Sequence, residues 1–247
     1  MEYSMTSILW QSIRMVLVPP RCVSCELLSP IPTVAGLCPV CLPLCEPNTE
    51  RRCRRCDLPL PTMGPMICRR CLTSKPPFNH LRAPFLYGGP LAEALTHFKF
   101  RDRVDLGQGL AQLMSRDSWV DALLADATMV VPIPLSPKRL RNRKHNQAAI
   151  LARHLVKHRP IRVIHGLKRV RDTPPQSSLS LAERQTNLHG AFAPTKRVEN
   201  ESIVLIDDVV TTTQTVREAA RILKVAGARR VTVIAAARAS KTTALIA

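Results

Sequence analysis

The sequence is poor in acidic residues and aromatic side chains. Asp and Glu together number 18 against 36 Lys and Arg, which gives a formal net charge of +18. This excess favours a polyanionic partner, whether a nucleic acid, a phosphorylated metabolite or an anionic membrane surface, and does not indicate a fold. With two Trp, two Tyr and five Phe, the chain has little capacity for base stacking. A bound nucleic acid would therefore be held mainly through its phosphates, and its binding would weaken with salt.

The sequence also lacks a long apolar run. The partly apolar stretch from residue 8 to residue 18 contains Gln11, Ser12 and Arg14, and it is too short to cross a bilayer. No small-residue cleavage site follows it, so a secretory signal is not expected. These absences predict a cytoplasmic protein without a membrane span, in which residues 1–20 form an N-terminal helical segment.

Cysteine is absent after Cys71, and eight of the nine cysteines form four CxxC pairs. The pairs are Cys22 with Cys25, Cys38 with Cys41, Cys53 with Cys56, and Cys68 with Cys71. Two such pairs complete the tetrahedral thiolate shell of zinc, so up to two structural Zn²⁺ ions are predicted in a zinc-binding module of residues 21–75. Disulfides are the competing interpretation, but they require an oxidising compartment for which the sequence has no export signal.

A pattern near the C-terminus is typical of a sugar-phosphate site in an α/β fold. The aliphatic run at residues 203–206 predicts a buried strand, and residues 218–226 have the spacing of a helix. Asp207 and Asp208 end the strand, where they can accept hydrogen bonds from sugar hydroxyls. The turn that follows offers hydroxyls and helix N-terminal amides to a phosphate, and it consists of Thr211, Thr212, Thr213, Gln214 and Thr215. The alternative is an ordinary strand, polar turn and helix.

A second loop is expected at the same edge of the sheet. Residues 129–131 predict a buried strand, which leads into Pro132, Ile133 and Pro134 and then into the basic residues Lys138 and Arg139. Open α/β sheets bind ligands at the carboxyl ends of their strands, so this loop is placed for a pyrophosphate. From residue 138 to residue 171 there are twelve Lys or Arg residues and no Asp or Glu. Anion binding and a merely solvated basic face both explain that run.

Together these segments resemble the ComF/GntX family. The shared features are the CxxC pairs, the loop at residues 131–134, Asn146 with Gln147, the stretches 171–177 and 187–192, and the Asp207–Asp208 turn. The resemblance covers nearly the whole chain. It implies an α/β fold with a type I phosphoribosyltransferase-like parallel sheet flanked by helices at residues 76–247, joined to a small N-terminal Cys-rich zinc-binding module.

The resemblance also implies a ligand and a cellular role. The ligand is phosphoribosyl pyrophosphate (PRPP) or a related sugar phosphate with Mg²⁺ on its pyrophosphate, and Asp207 and Asp208 are the catalytic pair. A flexible loop containing Gln176, Ser177 and Arg184 would close over the sugar. The implied role is natural transformation, acting on internalised single-stranded DNA, with DNA-processing proteins as further partners. The alternative is a PRPP-dependent glycosyltransferase of nucleotide or salvage metabolism with no DNA role.

Several positions depart from the family pattern in loops that would touch PRPP, and they are Lys144, His145, Ser178, Leu181 and Thr213. Thr213 stands where the family usually has glycine, and Lys144 replaces another glycine. Glycine permits a positive φ and a close approach of the backbone to phosphate, so a β-branched residue at position 213 predicts a narrowed or distorted turn. No residue that would read a nucleobase is evident. The sequence therefore leaves phosphoribosyltransferase activity undecided and names no acceptor.

Overall fold

The computed structural model describes residues 19–29, 31, 33–49, 51–171 and 189–239. The expected N-terminal helix and the expected flexible-loop residues Gln176, Ser177 and Arg184 lie outside the described residues. Within the part of the chain that the structure describes, no helix is both long enough and apolar enough to cross a bilayer.

A parallel sheet forms the centre of the molecule. Its strands are β1 (Leu81–Arg82), β2 (Phe85–Leu86), β3 (Met129–Pro132), β4 (Arg162–Val163), β7 (Ser202–Val210) and β8 (Arg230–Arg238). The order is β1-β8-β7-β3-β4, and β2 also pairs with β8. The register places Pro132 beside Ile206 and Asp207 beside Ala235. A separate antiparallel pair joins β5 (Leu167–Arg169) to β6 (Phe192–Pro194). The predicted parallel sheet flanked by helices is confirmed.

Helices cover both faces of the sheet. A 3₁₀ turn at Leu42–Leu44 precedes α1 (Arg69–Thr73), α2 (Gly89–Phe100), α3 (Leu106–Ser115), α4 (Ser118–Ala125), α5 (Pro137–Arg143), α6 (Gln147–Leu155) and α7 (Gln214–Val225). The starts of α4, α5 and α6 are fixed by Asp117, Ser136 and Asn146, whose side chains accept hydrogen bonds from first-turn amides. Such caps satisfy N–H groups that have no partner within the helix.

The two faces of the sheet carry separate apolar clusters. Val204 and Ile206 of β7 pack on one face with α2, α3, α4 and α6, whereas Ile203 and Leu205 pack on the other with α7. This division follows from the two-residue period of a strand. Most of the first cysteine cluster (Cys22, Cys25, Cys38 and Cys41) joins the former apolar core, and the second cysteine cluster (Cys53, Cys56, Cys68 and Cys71) joins the latter. The Cys-rich segment is thus packed against both faces.

Gly109 in α3 marks a close approach between this helix and the Cys-rich segment. A Cβ atom at Gly109 would lie 2.2 Å from the backbone nitrogen of Ala35 and 2.7 Å from its Cα. These neighbours are backbone atoms that cannot move aside as a flexible side chain would. The absence of a side chain at this position therefore allows the Cys-rich segment to pack on α3.

We expect Gly109→Ala to destabilise the protein by about 1–3 kcal/mol, because the new methyl group overpacks the contact with Ala35. In an exposed helix interior the same change would stabilise by about 1 kcal/mol. Urea denaturation measures the difference. Gln112→Ala, at an exposed position of the same helix, is the control and should stay within about 0.5 kcal/mol of the wild type. A Gly109→Ala protein as stable as the wild type would contradict this packing.

Candidate functional site

Two carboxylates stand near the carboxyl end of β7. The Oδ1 atom of Asp207 accepts a hydrogen bond from the backbone N–H of Asp208 at 2.9 Å, and that of Asp208 accepts one from Val209 at 2.7 Å. Lys99, in the last turn of α2, places its Nζ 3.1 Å from Asp208 Oδ1. The pair is therefore oriented by its own backbone and faces a cation from another element.

Asp207 is not an ordinary surface carboxyl. Burial, together with repulsion from Asp208, raises the pKa of Asp207 to about 7, although the positive charges of Lys99 and Arg143 act in the opposite direction. Near neutral pH the carboxyl is therefore partly protonated. A ligand that brings hydroxyl donors or a cation to this site would favour the ionised form.

A cavity, called here the Asp207 cavity, lies over these carboxylates. Its walls come from the end of α2, the loop after β3, the helices α5 and α6, and the end of β7. The lining residues are Lys99, Ile133, Pro134, Leu135, Arg139, Arg143, Asn146, Gln147, Ala148, Arg169, Asp207, Asp208, Val209 and Thr215. Several segments distant in sequence thus meet at the carboxyl end of the sheet, where open α/β folds bind ligands.

The structure brings together some of the predicted site residues and leaves others aside. Ile133, Pro134 and Arg139 line the Asp207 cavity with the two carboxylates and Thr215. Pro132 is buried as the last residue of β3, and the exposed Lys138 lies outside the lining. In the rest of the threonine turn (residues 211–215), Thr211, Thr212 and Thr213 connect β7 to α7 and Gln214 begins α7. None of these four residues lines the cavity.

The loop after β3 is fixed by helix caps. Ser136 Oγ accepts a hydrogen bond from the backbone N–H of Arg139 at 3.3 Å at the start of α5. Asn146 Oδ1 accepts one from the N–H of Ala149 at 3.2 Å, while its Nδ2 donates to the carbonyl of Ile133 at 3.1 Å. Asn146 therefore both starts α6 and holds the loop that forms one wall of the Asp207 cavity.

Gln147 lines the Asp207 cavity and has an unsatisfied acceptor. Its side chain is buried, at 2% exposure, and its Nε2 donates to the carbonyl of Phe98 at 3.3 Å. Its Oε1 is buried without a hydrogen-bond partner. A buried acceptor of this kind is costly to leave unpaired, so a ligand hydroxyl or a cation fits it. Together with the carboxylates of Asp207 and Asp208, it offers the oxygen donors that Mg²⁺ prefers.

In the threonine turn, Thr213 adopts the left-handed backbone conformation that glycine adopts most easily. Thr213 precedes α7 with φ +62° and ψ 0°, which is the left-handed region. Its hydroxyl accepts a hydrogen bond from Arg217 Nε at 3.3 Å. Lys144 likewise has φ +60° at the end of α5. The chain thus keeps a left-handed backbone at two positions where the resembling family has glycine, and the strain expected at Thr213 lies in its backbone.

Three arginines connect the threonine turn to the second cysteine cluster. Arg70 of α1 donates to the carbonyl of Thr212. Arg217 of α7 donates through Nη2 to the carbonyl of Ser74 at 2.8 Å. Arg238 is buried and donates to the carbonyls of Cys56 and Val210 at 3.1 and 2.9 Å, and also to the carbonyl of Thr211. The turn is therefore braced by the Cys-rich segment.

The cysteine clusters are arranged for metal ions. Within each cluster the four Sγ atoms lie within 4.8 Å of one another. The Sγ atoms of Cys25 and Cys38 are 3.8 Å apart and those of Cys56 and Cys68 are 3.6 Å apart, well beyond the roughly 2.05 Å of a disulfide. Four thiolates at about 2.3 Å from a tetrahedral ion are about 3.8 Å apart. Both clusters can therefore hold a metal ion.

The acidities of the thiols are consistent with a cation at the first cluster. Burial opposes ionisation of Cys22, but backbone N–H groups of Cys25 and Cys38 lower the pKa of its thiol to about 6. Burial and the neighbouring thiols raise the pKa of Cys41 to about 12. Four thiolates this close repel one another, so complete ionisation of the cluster requires a positive ion. Cys45, outside the pairs, is a buried thiol in the first apolar core.

Sequence reasoning missed part of the Asp207 cavity. No motif assigned a role to Lys99 or to Arg169, although both line the cavity. The side chain of Lys99 is 16% exposed, which is unusual for a lysine. Its position beside Phe98 on an apolar helix gave no sign of a carboxylate partner more than a hundred residues away.

Comparison with known proteins identifies the family of this chain. A model of the phosphoribosyl transferase domain matches residues 147–246. The DNA utilization protein YhgH of Escherichia coli strain K12 is 31% identical over 211 residues, which cover 80% of this chain and 88% of that protein. The chain belongs to the ComF family. Other similar proteins are competence protein F of Haemophilus influenzae, 30% identical over 70% of this chain and 78% of that protein, and competence protein ComFC of Bacillus subtilis, 28% identical over 82% and 77%.

Among solved structures, the glutamine PRPP amidotransferase of Bacillus subtilis is 22% identical, with a TM-score of 0.35. The overlap covers 55% of this ComF-family chain and 26% of the amidotransferase. A score this low supports no conclusion about function.

The left-handed backbone at Thr213 can be tested with two truncations. Thr213→Ala and Thr213→Gly both remove the hydroxyl and the methyl group, but only glycine adopts a positive φ without strain. We expect the glycine variant to be more stable than the alanine variant by about 1 kcal/mol, because a left-handed backbone costs alanine roughly 1–2 kcal/mol and glycine nothing comparable. Urea denaturation of both variants gives the difference. An alanine variant equal to or more stable than the glycine variant would disprove the strain.

Proposed function

We propose that this ComF-family chain binds PRPP or a related sugar phosphate at the end of β7 and acts in the cytoplasm on internalised single-stranded DNA. One observation supports the binding of a sugar phosphate. The Asp207 cavity combines two adjacent carboxylates with the cations Lys99, Arg139 and Arg143, as a polyhydroxylated, multiply charged anion requires. The second half is supported by the relatives that are named DNA utilization and competence proteins.

Each part of the sugar phosphate has a proposed partner. Asp207 and Asp208 accept hydrogen bonds from the ribose hydroxyls. The threonine turn and the first amides of α7 hold the 5′-phosphate. The pyrophosphate is held by the loop after β3 and by nearby cations, and these residues are Pro132, Ile133, Pro134, Lys138, Arg139, Lys99 and Arg143. Gln176, Ser177 and Arg184 are proposed to close over the sugar.

Mg²⁺ would be held by the oxygens of Asp207, Asp208 and Gln147. When bound, the ion would neutralise charge on the pyrophosphate. The ionised carboxylates would stabilise positive charge that develops on a sugar. Thr213 and Lys144 both keep the left-handed backbone that glycine would adopt. This conformation favours loops that can still bind PRPP and support transfer. A PRPP-dependent transferase without a DNA role is thus the second candidate.

The Cys-rich segment is proposed to be a structural zinc module at residues 21–75, preceding the phosphoribosyltransferase-like domain at residues 76–247. Four thiolates complete a zinc shell and leave no position for water, so these ions would stabilise the fold without taking part in chemistry. The second ion would also stabilise the threonine turn, through Arg70, Arg217 and Arg238.

PRPP binding is tested by thermal shift. We expect PRPP with Mg²⁺ to raise the melting temperature of the wild type, because a ligand that binds only the folded state stabilises it. Asp208→Asn should abolish the shift, and Arg139→Ala should weaken it through the loss of a cation in the Asp207 cavity. Arg153→Ala, at an exposed basic position outside that cavity, is the charge control and should respond as the wild type does. A wild type that does not respond to PRPP would refute the sugar-phosphate half of the proposal.

Metal content is tested by elemental analysis of the purified protein. We expect two zinc ions per chain, one for each cysteine cluster. Cys25→Ser should lower the content to one, because it removes a ligand of the first cluster. Cys45→Ala, a cysteine outside both clusters, should leave it at two. The two-site proposal fails if the wild type contains much less than two ions per chain.

A further inference from the structure

A second cavity lies between the Cys-rich segment, β1 and the start of α4. Its volume is about 660 Å³, within the range of pockets that hold small organic ligands. It shares no lining residue with the Asp207 cavity. We call it the Trp119 cavity. Cys53 of the second cysteine cluster contributes to its wall, but its other lining residues belong neither to a cysteine cluster nor to the Asp207 cavity.

Positive charge dominates the lining of the Trp119 cavity. The basic residues are Arg51, Arg52, Arg54, His80 and Arg82. Among the described residues that line it, Asp57 is the one acid, and both of its oxygens are taken. Arg52 Nε lies 2.9 Å from Oδ1, and Arg82 Nη1 lies 3.1 Å from Oδ2. Arg82 also pairs with Asp117, which lies outside the lining. Asp57 and Asp117 therefore balance Arg52 and Arg82 and leave the charge of Arg51 and Arg54 for an outside anion.

Arg51 supplies an unsatisfied donor. Its Nη1 donates to the carbonyl of Thr62 at 3.0 Å, which orients the guanidinium. Its Nε is buried without a hydrogen-bond partner. A buried N–H of a cation is costly to leave unpaired, so the guanidinium of Arg51 has capacity left for an anion. Arg54 is exposed on the same lining.

An indole ring completes this lining. Trp119 is 58% exposed, in a chain with two Trp residues. Its backbone N–H donates to Asp117 Oδ1 at 3.0 Å, so the ring stands on the capped start of α4. An exposed aromatic face beside arginines is the combination that binds bases and phosphates of an unpaired strand. A duplex would hide its base faces, and an acidic peptide would leave the ring unused.

We propose that the Trp119 cavity binds a nucleotide of single-stranded DNA, with its base stacked on Trp119 and its phosphates on Arg51 and Arg54. This inference rests on the DNA half of the proposed function and gives it a location. The strand would lie at the β1 edge of the sheet, while the sugar phosphate occupies the carboxyl end. Both ligands could then be bound at once.

Fluorescence tests the stacking directly. Trp10→Phe leaves Trp119 as the one tryptophan, so its emission reports this ring alone. We expect a single-stranded thymidine 20-mer to quench that emission. In fluorescence anisotropy with the labelled 20-mer, Trp119→Ala in the otherwise wild-type chain should weaken binding about 10-fold, as the loss of one stacked base does, and Trp119→Phe should recover part of it. Arg54→Glu should weaken binding more than Arg153→Glu, which makes the same charge change elsewhere.

The outcomes separate the inference from the function that it rests on. If the wild type binds the 20-mer but the Trp119 emission of Trp10→Phe is unchanged, and neither Trp119→Ala nor Arg54→Glu weakens binding, the inference is wrong and the DNA function stands. If the wild type binds no single-stranded DNA at low salt, both the inference and the proposed DNA function are wrong. Equal affinity for thymidine monophosphate and for the 20-mer would also overturn the inference, because the site would then serve a free nucleotide.

Discussion

Arg238 holds a buried positive charge where three parts of the molecule meet. From the end of β8 its guanidinium donates to Cys56 in the Cys-rich segment, to Val210 at the end of β7 and to Thr211 in the threonine turn. Burial lowers the pKa of Arg238, but a guanidinium remains charged. Because its partners are backbone carbonyls, the charge is satisfied only while all three segments keep their places. The geometry of the threonine turn at the end of β7 depends on these three contacts.

The hydrogen bonds of Arg238 give the Cys-rich segment a role beyond its own folding. Arg70 and Arg217 add further contacts between that segment and the threonine turn. A residue such as Thr213 stays in a strained backbone conformation only when its surroundings determine it more than once. The second cysteine cluster is a large part of those surroundings, so a metal ion there would stabilise the threonine turn as well as the cluster itself. The Asp207 cavity and the cluster therefore form one structural unit.

Parts of the fold were predictable because they rest on local patterns. The aliphatic run at residues 203–206 lies within β7, and the helix predicted at residues 218–226 lies largely within α7, which begins earlier, at Gln214. The short aliphatic stretch at residues 163–167 does not form one strand. That run divides between β4, which extends the parallel sheet, and β5, which pairs with β6. An aliphatic run shows that a segment is buried, but it does not show which sheet receives it.

The sequence by itself determined the residue types of the site: the paired acids, the threonine turn, the prolines after β3 and the four CxxC pairs. Their chemistry depends on short spacings that survive in any fold. Only the tertiary structure decided which distant residues come together, such as Lys99 beside Asp208, Gln147 with its unpaired oxygen, and Trp119 with Arg54 in the lining of one cavity. The physical reason is that these neighbours are set by strand order and helix packing. Burial and electrostatic partners depend on the whole chain, whereas ligand type and spacing can be read from a few adjacent residues.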